Sequence, residues 1–145
     1  MPSVLSELRN GVCTASAAET QDLARRLALE LPPGTVLALH GDLGAGKTTF
    51  TQGLARGLGI HESVTSPTFN IFTLHRTEGK TLVHLDAYRL DGADALEQLM
   101  IDDFLLPPWW LVVEWPEKVA AWIPAGALHF ELGITADERH TLRLR

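Results

Sequence analysis

The chain is poor in cysteine and has no long apolar run. Cys13 is the single cysteine among 145 residues, so no internal disulfide can form, and we expect a reducing, cytoplasmic setting. The longest apolar run, residues 104–113, contains two prolines and is too short to cross a bilayer. The N-terminus also lacks the basic and apolar segments of a signal peptide. We therefore expect a single domain over residues 1–145 that has no membrane partner.

Positive charge is also scarce. Twelve Lys and Arg residues stand against 18 Asp and Glu residues, which gives a net charge of −6. A chain of this charge lacks the positive field that holds nucleic acid by itself, so we expect no DNA partner and only indirect contact with RNA. The six histidines show no metal-binding spacing, and we expect His84 to pack at a strand surface. Residues 1–11 show little pattern and are expected to be loosely held.

One segment carries a specific signal. Residues 41–48 read Gly-Asp-Leu-Gly-Ala-Gly-Lys-Thr, which fits the phosphate-loop pattern G-x-x-x-x-G-K-[ST] at every constrained position. Glycines let backbone N–H groups approach a triphosphate, Lys47 can reach the β- and γ-phosphates, and Thr48 can offer its hydroxyl to Mg²⁺. A strand-like run precedes the loop and a helix-like run follows it, as the motif requires. The alternative, a glycine-rich turn, leaves Lys47 and Thr48 unexplained.

A second Gly-Lys-Thr, at residues 79–81, does not fit the pattern. Leu74 stands where a phosphate loop needs glycine, and strand-like residues lie on both sides. We interpret residues 77–80 as a hairpin turn.

The hydrophobic patterns predict alternating helices and strands. A capping box at Ser16 and Glu19 starts a helix that runs to Leu31, and Asp91 caps a short helix. The other predicted elements are a helix over 48–58 and strands over 35–40, 68–74, 81–85, 110–113, 128–134 and 140–144. This order predicts an α/β, P-loop NTPase-like three-layer fold with a mixed, partly parallel central sheet and added antiparallel hairpins.

Two acidic residues follow predicted core strands. Asp86 comes after residues 81–85, and Glu114 comes after residues 110–113. Ligand-binding groups of open α/β sheets lie at such strand ends, and Mg²⁺ prefers oxygen ligands, so both acids are candidate metal ligands. The alternative is that either acid caps the following turn.

The other candidate site residues each have a simpler structural interpretation. Residues 65–69 either sense the γ-phosphate or form an ordinary loop, and Arg89 either stabilises phosphate charge or is a surface arginine. Trp115 is either a platform over the nucleotide or a packing residue, and Tyr88 is a further candidate for lining the site.

Four motifs occur together in a fixed order. They are the phosphate loop at 41–50, Ser66-Pro67-Thr68-Phe69, His84-x-Asp86-x-Tyr88-Arg89 and Glu114-Trp115-Pro116-Glu117. In order and spacing, over roughly residues 16–134, the chain resembles the TsaE (YjeE) ATPase family.

That resemblance implies an ATPase needed to form N6-threonylcarbamoyladenosine at position 37 of ANN-decoding tRNAs, acting with TsaB and TsaD. It implies ATP and Mg²⁺ as cofactors, and catalytic roles for Lys47 and the Walker B-like Asp86. Ser66 and Thr68 would form a switch-like segment, and Trp115 would lie beside the nucleotide. Nucleotide contacts would come from Gly41, Gly44, Ala45, Gly46, Lys47, Thr48 and Thr49. Metal contacts would come from Thr48, Glu114 and Asp86.

Two other functions remain open at this point. A small-molecule P-loop kinase needs an acceptor site and a lid, for which the sequence shows no arginine cluster. A nucleotide-gated assembly module would use ATP binding without required turnover. The guanine-specific motifs of Ras-like GTPases are not found in the sequence.

Overall fold

The computed structural model describes residues 3–42, 44–61, 64 and 71–145. The predicted switch-like segment with Ser66 and Thr68 lies outside these residues. The helices are α1 (Val4–Asn10), α2 (Ala17–Ala28), α3 (Lys47–Gly57) and α4 (Ala93–Glu97), with 3-10 turns at Ile101–Phe104 and Pro116–Val119. The strands are β1 (Val12–Thr14), β2 (Val36–His40), β3 (Phe72–Thr77), β4 (Lys80–Asp86), β5 (Trp109–Glu114), β6 (Leu128–Ile134) and β7 (His140–Leu144).

The strands form one mixed sheet of seven in the order β1-β7-β6-β2-β5-β4-β3. Its centre is parallel, because β2 pairs with both β5 and β6, and β4 pairs with β5. Antiparallel pairs of β3 with β4 and of β7 with β6 and β1 complete the two sides. Parallel strands end at the same edge of a sheet. At that edge Asp86 and Glu114, the last residues of β4 and β5, are register partners.

Apolar side chains cover both faces of the sheet. Along β5, Trp110 and Val112 belong to the core under α1, α2 and α3, whereas Leu111 and Val113 belong to the core under α4 and the 3-10 turns. Successive side chains of a strand point to opposite faces, so a continuous apolar run is what a strand buried on both sides requires. The predicted three-layer α/β fold with a mixed sheet and added antiparallel hairpins is confirmed.

Local signals explain how α2 begins. Ser16 is its N-cap and accepts a hydrogen bond from the Glu19 N–H at 3.1 Å, while the Glu19 carboxylate accepts from the Ala15 N–H at 2.6 Å. The Ser16 half of the predicted capping box is therefore confirmed, while the Glu19 carboxylate binds the residue before the N-cap instead of the N-cap itself. The helix ends at Ala28, three residues before the predicted Leu31, because the last turn tightens into 3-10-type bonds ahead of residues 32–34.

The packing of α2 against α3 depends on two glycines. A Cβ atom on Gly53 would lie 2.3 Å from the carbonyl oxygen of Gln21, and one on Gly57 would lie 2.4 Å from that of Arg25. The two helix backbones therefore touch where α3 has no side chain. This contact fixes α3, which starts at the phosphate loop, against α2.

Several local predictions were wrong. Residues 4–10 form α1, capped by Ser3 and buried at Val4 and Leu8, although three apolar residues in one short segment are too few to show a helical period in the sequence. The N-cap of α4 is Gly92 and not Asp91. None of the helices in the described ranges has both the length and the apolar composition needed to cross a membrane.

The hairpin interpretation of the second Gly-Lys-Thr is confirmed. Thr77 and Lys80 are register partners, and the two residues between them, Glu78 and Gly79, have φ values of 38° and 81°. Such angles are those of a two-residue hairpin turn that matches strand twist. This triplet therefore lies where β4 begins, whereas the phosphate loop lies where β2 ends.

Candidate nucleotide-binding site

The phosphate loop connects the end of β2 to the start of α3. At Gly41, φ is 155° and a Cβ atom would lie 2.6 Å from the carbonyl oxygen of Leu132, so only glycine fits there. Gly46 is the N-cap of α3 with a φ of 94°, and no side chain caps this helix. The amide groups of the first turn of α3 therefore remain available to an anion, and the helix dipole favours its negative charge.

Lys47 is buried at the start of α3, with only 5% of its surface exposed. Its ammonium donates a hydrogen bond to the Gly41 carbonyl at 2.7 Å and lies 3.9 Å from the centroid of the Trp115 ring. Burial lowers the pKa of Lys47, and the negative charges of Glu114 and Asp86 oppose this change. Lys47 therefore lies inside the field of both predicted acids.

Glu114 ends β5 and is 4% exposed. Its Oε2 contacts Nε2 of His84, which is fully buried on β4. The prediction that His84 packs at a strand surface was therefore wrong, because β4 lies inside the sheet and is covered on both faces. Among the described residues, the hydrogen-bond partner of the Glu114 side chain is this histidine. The alternative that Glu114 caps the following turn is therefore not supported.

Asp86 ends β4 beside Glu114. Burial raises its pKa and the Glu114 charge adds to this rise, while the Tyr88 N–H, His84 and Lys47 act in the opposite direction. Its Oδ1 accepts a hydrogen bond from the Tyr88 N–H at 3.0 Å. The turn-capping alternative is thus realised by one oxygen of Asp86.

Trp115 adopts a left-handed backbone conformation with a φ of 58° directly after Glu114. Its ring lies over the Lys47 ammonium and has its centroid 5.1 Å from that of Tyr88. Trp115 also packs against the second core, which agrees with the packing interpretation. Its role as a platform over the nucleotide stays a prediction. Arg89 is exposed, as expected for a surface arginine.

The remaining loop residues lie around the same turn. Gly44 is exposed, Ala45 is buried, and Thr48 and Thr49 are partly exposed in the first turn of α3. The sequence did not single out His140 of the C-terminal hairpin, whose Nδ1 lies 3.4 Å from the Ala45 carbonyl oxygen. Only the pairing of β7 with β6 brings this histidine to the loop, and no motif marks it.

The side chains at this edge of the sheet suit Mg²⁺, which shares its coordination with phosphates and water, better than a metal ion that is held by protein side chains alone. Among the described residues, no three His, Cys, Asp or Glu side chains are grouped so that they could hold a metal ion. Mg²⁺ is usually bound through one or two carboxylates together with phosphates and water. Thr48 offers a hydroxyl in the first turn of α3, and Glu114 and Asp86 offer carboxylates at the neighbouring strand ends.

Comparison with known proteins agrees with this geometry. The family model described as "Threonylcarbamoyl adenosine biosynthesis protein TsaE" matches residues 14–142. The chain belongs to the TsaE family. Its relatives include the "tRNA threonylcarbamoyladenosine biosynthesis protein TsaE" of Streptomyces coelicolor, which is 45% identical over 83% of this chain and 86% of its own length. The TsaE protein of Bacillus subtilis is 37% identical, over 89% of this chain and 80% of its own length.

A solved structure shows a similar fold. The crystal structure of Bacillus subtilis YdiB superposes with a TM-score of 0.78 at 32% identity, covering 92% of this chain and 82% of that one. The TsaE resemblance inferred from four short motifs is therefore confirmed over most of the chain.

Proposed function

We propose that this TsaE family member is a Mg²⁺-dependent ATP-binding protein and weak ATPase. It would support formation of N6-threonylcarbamoyladenosine at position 37 of ANN-decoding tRNAs. The observation that carries the proposal is the meeting of the glycine loop, Lys47 and two strand-end acids at one sheet edge. The names of its relatives supply the process in which we place that site.

The loop supplies the phosphate contacts. Amide groups of residues 44–49 would surround the polyphosphate, and Gly41 lets the chain turn against β6. Lys47 would exchange its contacts with the Gly41 carbonyl and Trp115 for the β- and γ-phosphates. Trp115 would stay beside the nucleotide, because β5 fixes its backbone.

Thr48 and Glu114 would hold Mg²⁺, with Asp86 as the Walker B-like acid beside them. A bound Mg²⁺ ion would neutralise charge on the phosphate oxygens during phosphoryl transfer. Because burial raises the pKa of Asp86, this carboxyl is suited to exchange a proton with an attacking water molecule. Lys47 would stabilise the negative charge that grows on the terminal phosphate.

The partners would be TsaD and TsaB in the cytoplasm. With a net charge of −6 the chain has little attraction for tRNA itself, so the tRNA would be reached through that complex. We expect slow hydrolysis by the isolated protein, since Arg89, the arginine next to the site acids in sequence, is exposed. Fast turnover without partners would contradict the auxiliary role.

Reconstitution tests the proposal. The chain is combined with TsaB, TsaD, tRNA, ATP, Mg²⁺ and a threonylcarbamoyl donor, and modified adenosine is counted over several turnovers. We expect multiple turnovers with this chain, and none beyond background with Lys47→Ala. Equal product without the chain would refute the proposal. Sustained product with a non-hydrolysable ATP analogue would favour the assembly module, and phosphorylation of a small molecule would favour the kinase.

A further inference from the structure

A buried histidine meets the acid at the end of the neighbouring strand. His84 is fully buried and Glu114 is 4% exposed, and both lie on the sheet face that α3 covers, as do Leu82 and Val112. Nε2 of His84 is in hydrogen-bond contact with Oε2 of Glu114. Such a polar pair needs an explanation, because well-packed apolar residues at the same positions are often equally stable or more stable.

The contacts of His84 define its tautomer. An ionised carboxylate can only accept hydrogen bonds, so Nε2 must carry the hydrogen. Nδ1 is buried and has no partner among the described residues. A hydrogen on Nδ1 would be an unsatisfied buried donor, which is costly. Nε2 therefore carries a hydrogen, and the ring acts as a fixed donor to Glu114.

Lys47 carries a positive charge near Glu114. The two groups attract each other electrostatically, yet no ion pair within 4.0 Å joins them in the described chain. The Lys47 ammonium is engaged with the Gly41 carbonyl and with Trp115 instead. His84 thus holds the Glu114 carboxylate on the β4 side, where it does not form an ion pair with the lysine.

We propose that His84 is a positioning residue for Glu114: it holds one carboxylate oxygen so that the other stays available to Mg²⁺. This rests on the proposed function, since it assumes that Glu114 binds the metal of a Mg·ATP complex. Removing a residue that hydrogen-bonds to a metal ligand and orients it commonly weakens metal affinity 10- to 100-fold. Without His84, the Glu114 carboxylate would turn toward Lys47 and lose the metal.

Calorimetry with ATP, in the presence and absence of Mg²⁺, tests the proposal. The measured quantity is the factor by which Mg²⁺ improves ATP affinity. His84→Leu should reduce this factor about 10-fold or more, whereas His84→Gln, whose amide nitrogen replaces Nε2 as donor, should stay within about 3-fold of the unmodified chain. His75→Leu is the matched control, because it removes another buried histidine from the adjacent strand β3.

A double-mutant cycle separates positioning from general damage. In a Glu114→Gln background, His84→Leu should not reduce the Mg²⁺ factor further, because the group that it positions is already altered. Independent losses that add would overturn the proposal. So would an unchanged Mg²⁺ factor in His84→Leu. If the unmodified chain binds no ATP with Mg²⁺ present, the proposed function itself fails.

A spectroscopic test needs neither nucleotide nor a variant. Two-dimensional ¹H–¹⁵N spectra of the imidazole rings should show a hydrogen on Nε2 of His84. A ring that carries its hydrogen on Nδ1 and none on Nε2 would contradict the inferred contact with Glu114. This measurement also decides the question if His84→Leu does not fold.

Discussion

The ammonium of Lys47 lies 3.9 Å from the centroid of the Trp115 ring, and it donates a hydrogen bond to the carbonyl of Gly41 at 2.7 Å. Three backbone features bring these groups together: the end of β2, the start of α3 and the left-handed residue after β5. A buried ammonium is costly unless it is paired, and here an aromatic face and a carbonyl oxygen offset that cost.

Trp115→Leu should destabilise the chain through this contact. A desolvated cation–π pair contributes about 0.5–2 kcal/mol, so we expect a coupling energy of that size between Trp115→Leu and Lys47→Met in urea denaturation. The loss should be smaller by this coupling energy when Lys47 is already methionine, while the part due to packing against the second core remains. Trp122→Leu is the control, because Trp122 packs against the second core. Purely additive effects of the two changes would show that the ring merely fills space.

Lys47→Ala should abolish tight ATP binding, since it removes the cation of the phosphate loop. Calorimetry should show an affinity at least about 100-fold weaker, in line with a lost charge-assisted contact of about 3 kcal/mol. Lys80→Ala provides an internal control, because Lys80 belongs to the second Gly-Lys-Thr and lies where β4 begins. Equal losses from the two substitutions would contradict the assignment of the site.

Asp86→Asn should stabilise the chain at neutral pH. Burial raises the pKa of Asp86 in the folded chain, so the folded state keeps a proton that the unfolded state loses near pH 4. The stability that depends on this group therefore falls as pH rises above about 4, until the higher folded-state pKa is passed. Asparagine stays uncharged and keeps an oxygen for the Tyr88 N–H.

Urea denaturation between pH 3.5 and pH 8 checks this expectation. The midpoint of Asp86→Asn should exceed that of the unmodified chain at pH 7, and the difference should close toward pH 3.5. Asp91→Asn, at an exposed loop position, should show no such pH-dependent gain. A difference that stays constant across this range would exclude the titration of Asp86 as its cause.

Gly53→Ala should destabilise, against the usual direction for a helix interior. Alanine normally stabilises a helix relative to glycine by up to about 1 kcal/mol. Here the new methyl group would lie 2.3 Å from the Gln21 carbonyl oxygen, and forcing the helices apart costs about 1–3 kcal/mol. Gly126→Ala, where nothing lies within 4 Å, should be close to neutral. A stabilised Gly53→Ala chain would show that α2 and α3 can separate freely.

The sequence predicted those parts of the fold that depend on local chemistry. The capping box at Ser16, the phosphate loop before α3 and the two-residue hairpin at Glu78 each have residues that few other conformations suit. The strand-end positions of Asp86 and Glu114 also followed from the apolar runs before them. The two acids lie close together only if their strands are parallel, and the phosphate loop predicted such a sheet.

Features that depend on distant pairing were not visible. Nothing near residues 12–14 indicates that β1 joins the sheet, because its partner β7 lies more than 120 residues later. His84 looked like a strand-surface residue, since a histidine in an apolar strand does not reveal a carboxylate on the next strand. His140 likewise reaches the loop only through the pairing of β6 with β7.

The direct backbone contact between α2 and α3 restricts substitutions in α3 more than in α2. On α2 the nearest atoms are main-chain atoms of residues 21 and 25 and the Cβ of Ala28, so the exposed side chain of Arg25 can be exchanged without altering the fit. On α3 no side chain at all is tolerated at positions 53 and 57. Random mutagenesis should therefore recover many folded variants at position 25 and almost none at positions 53 and 57.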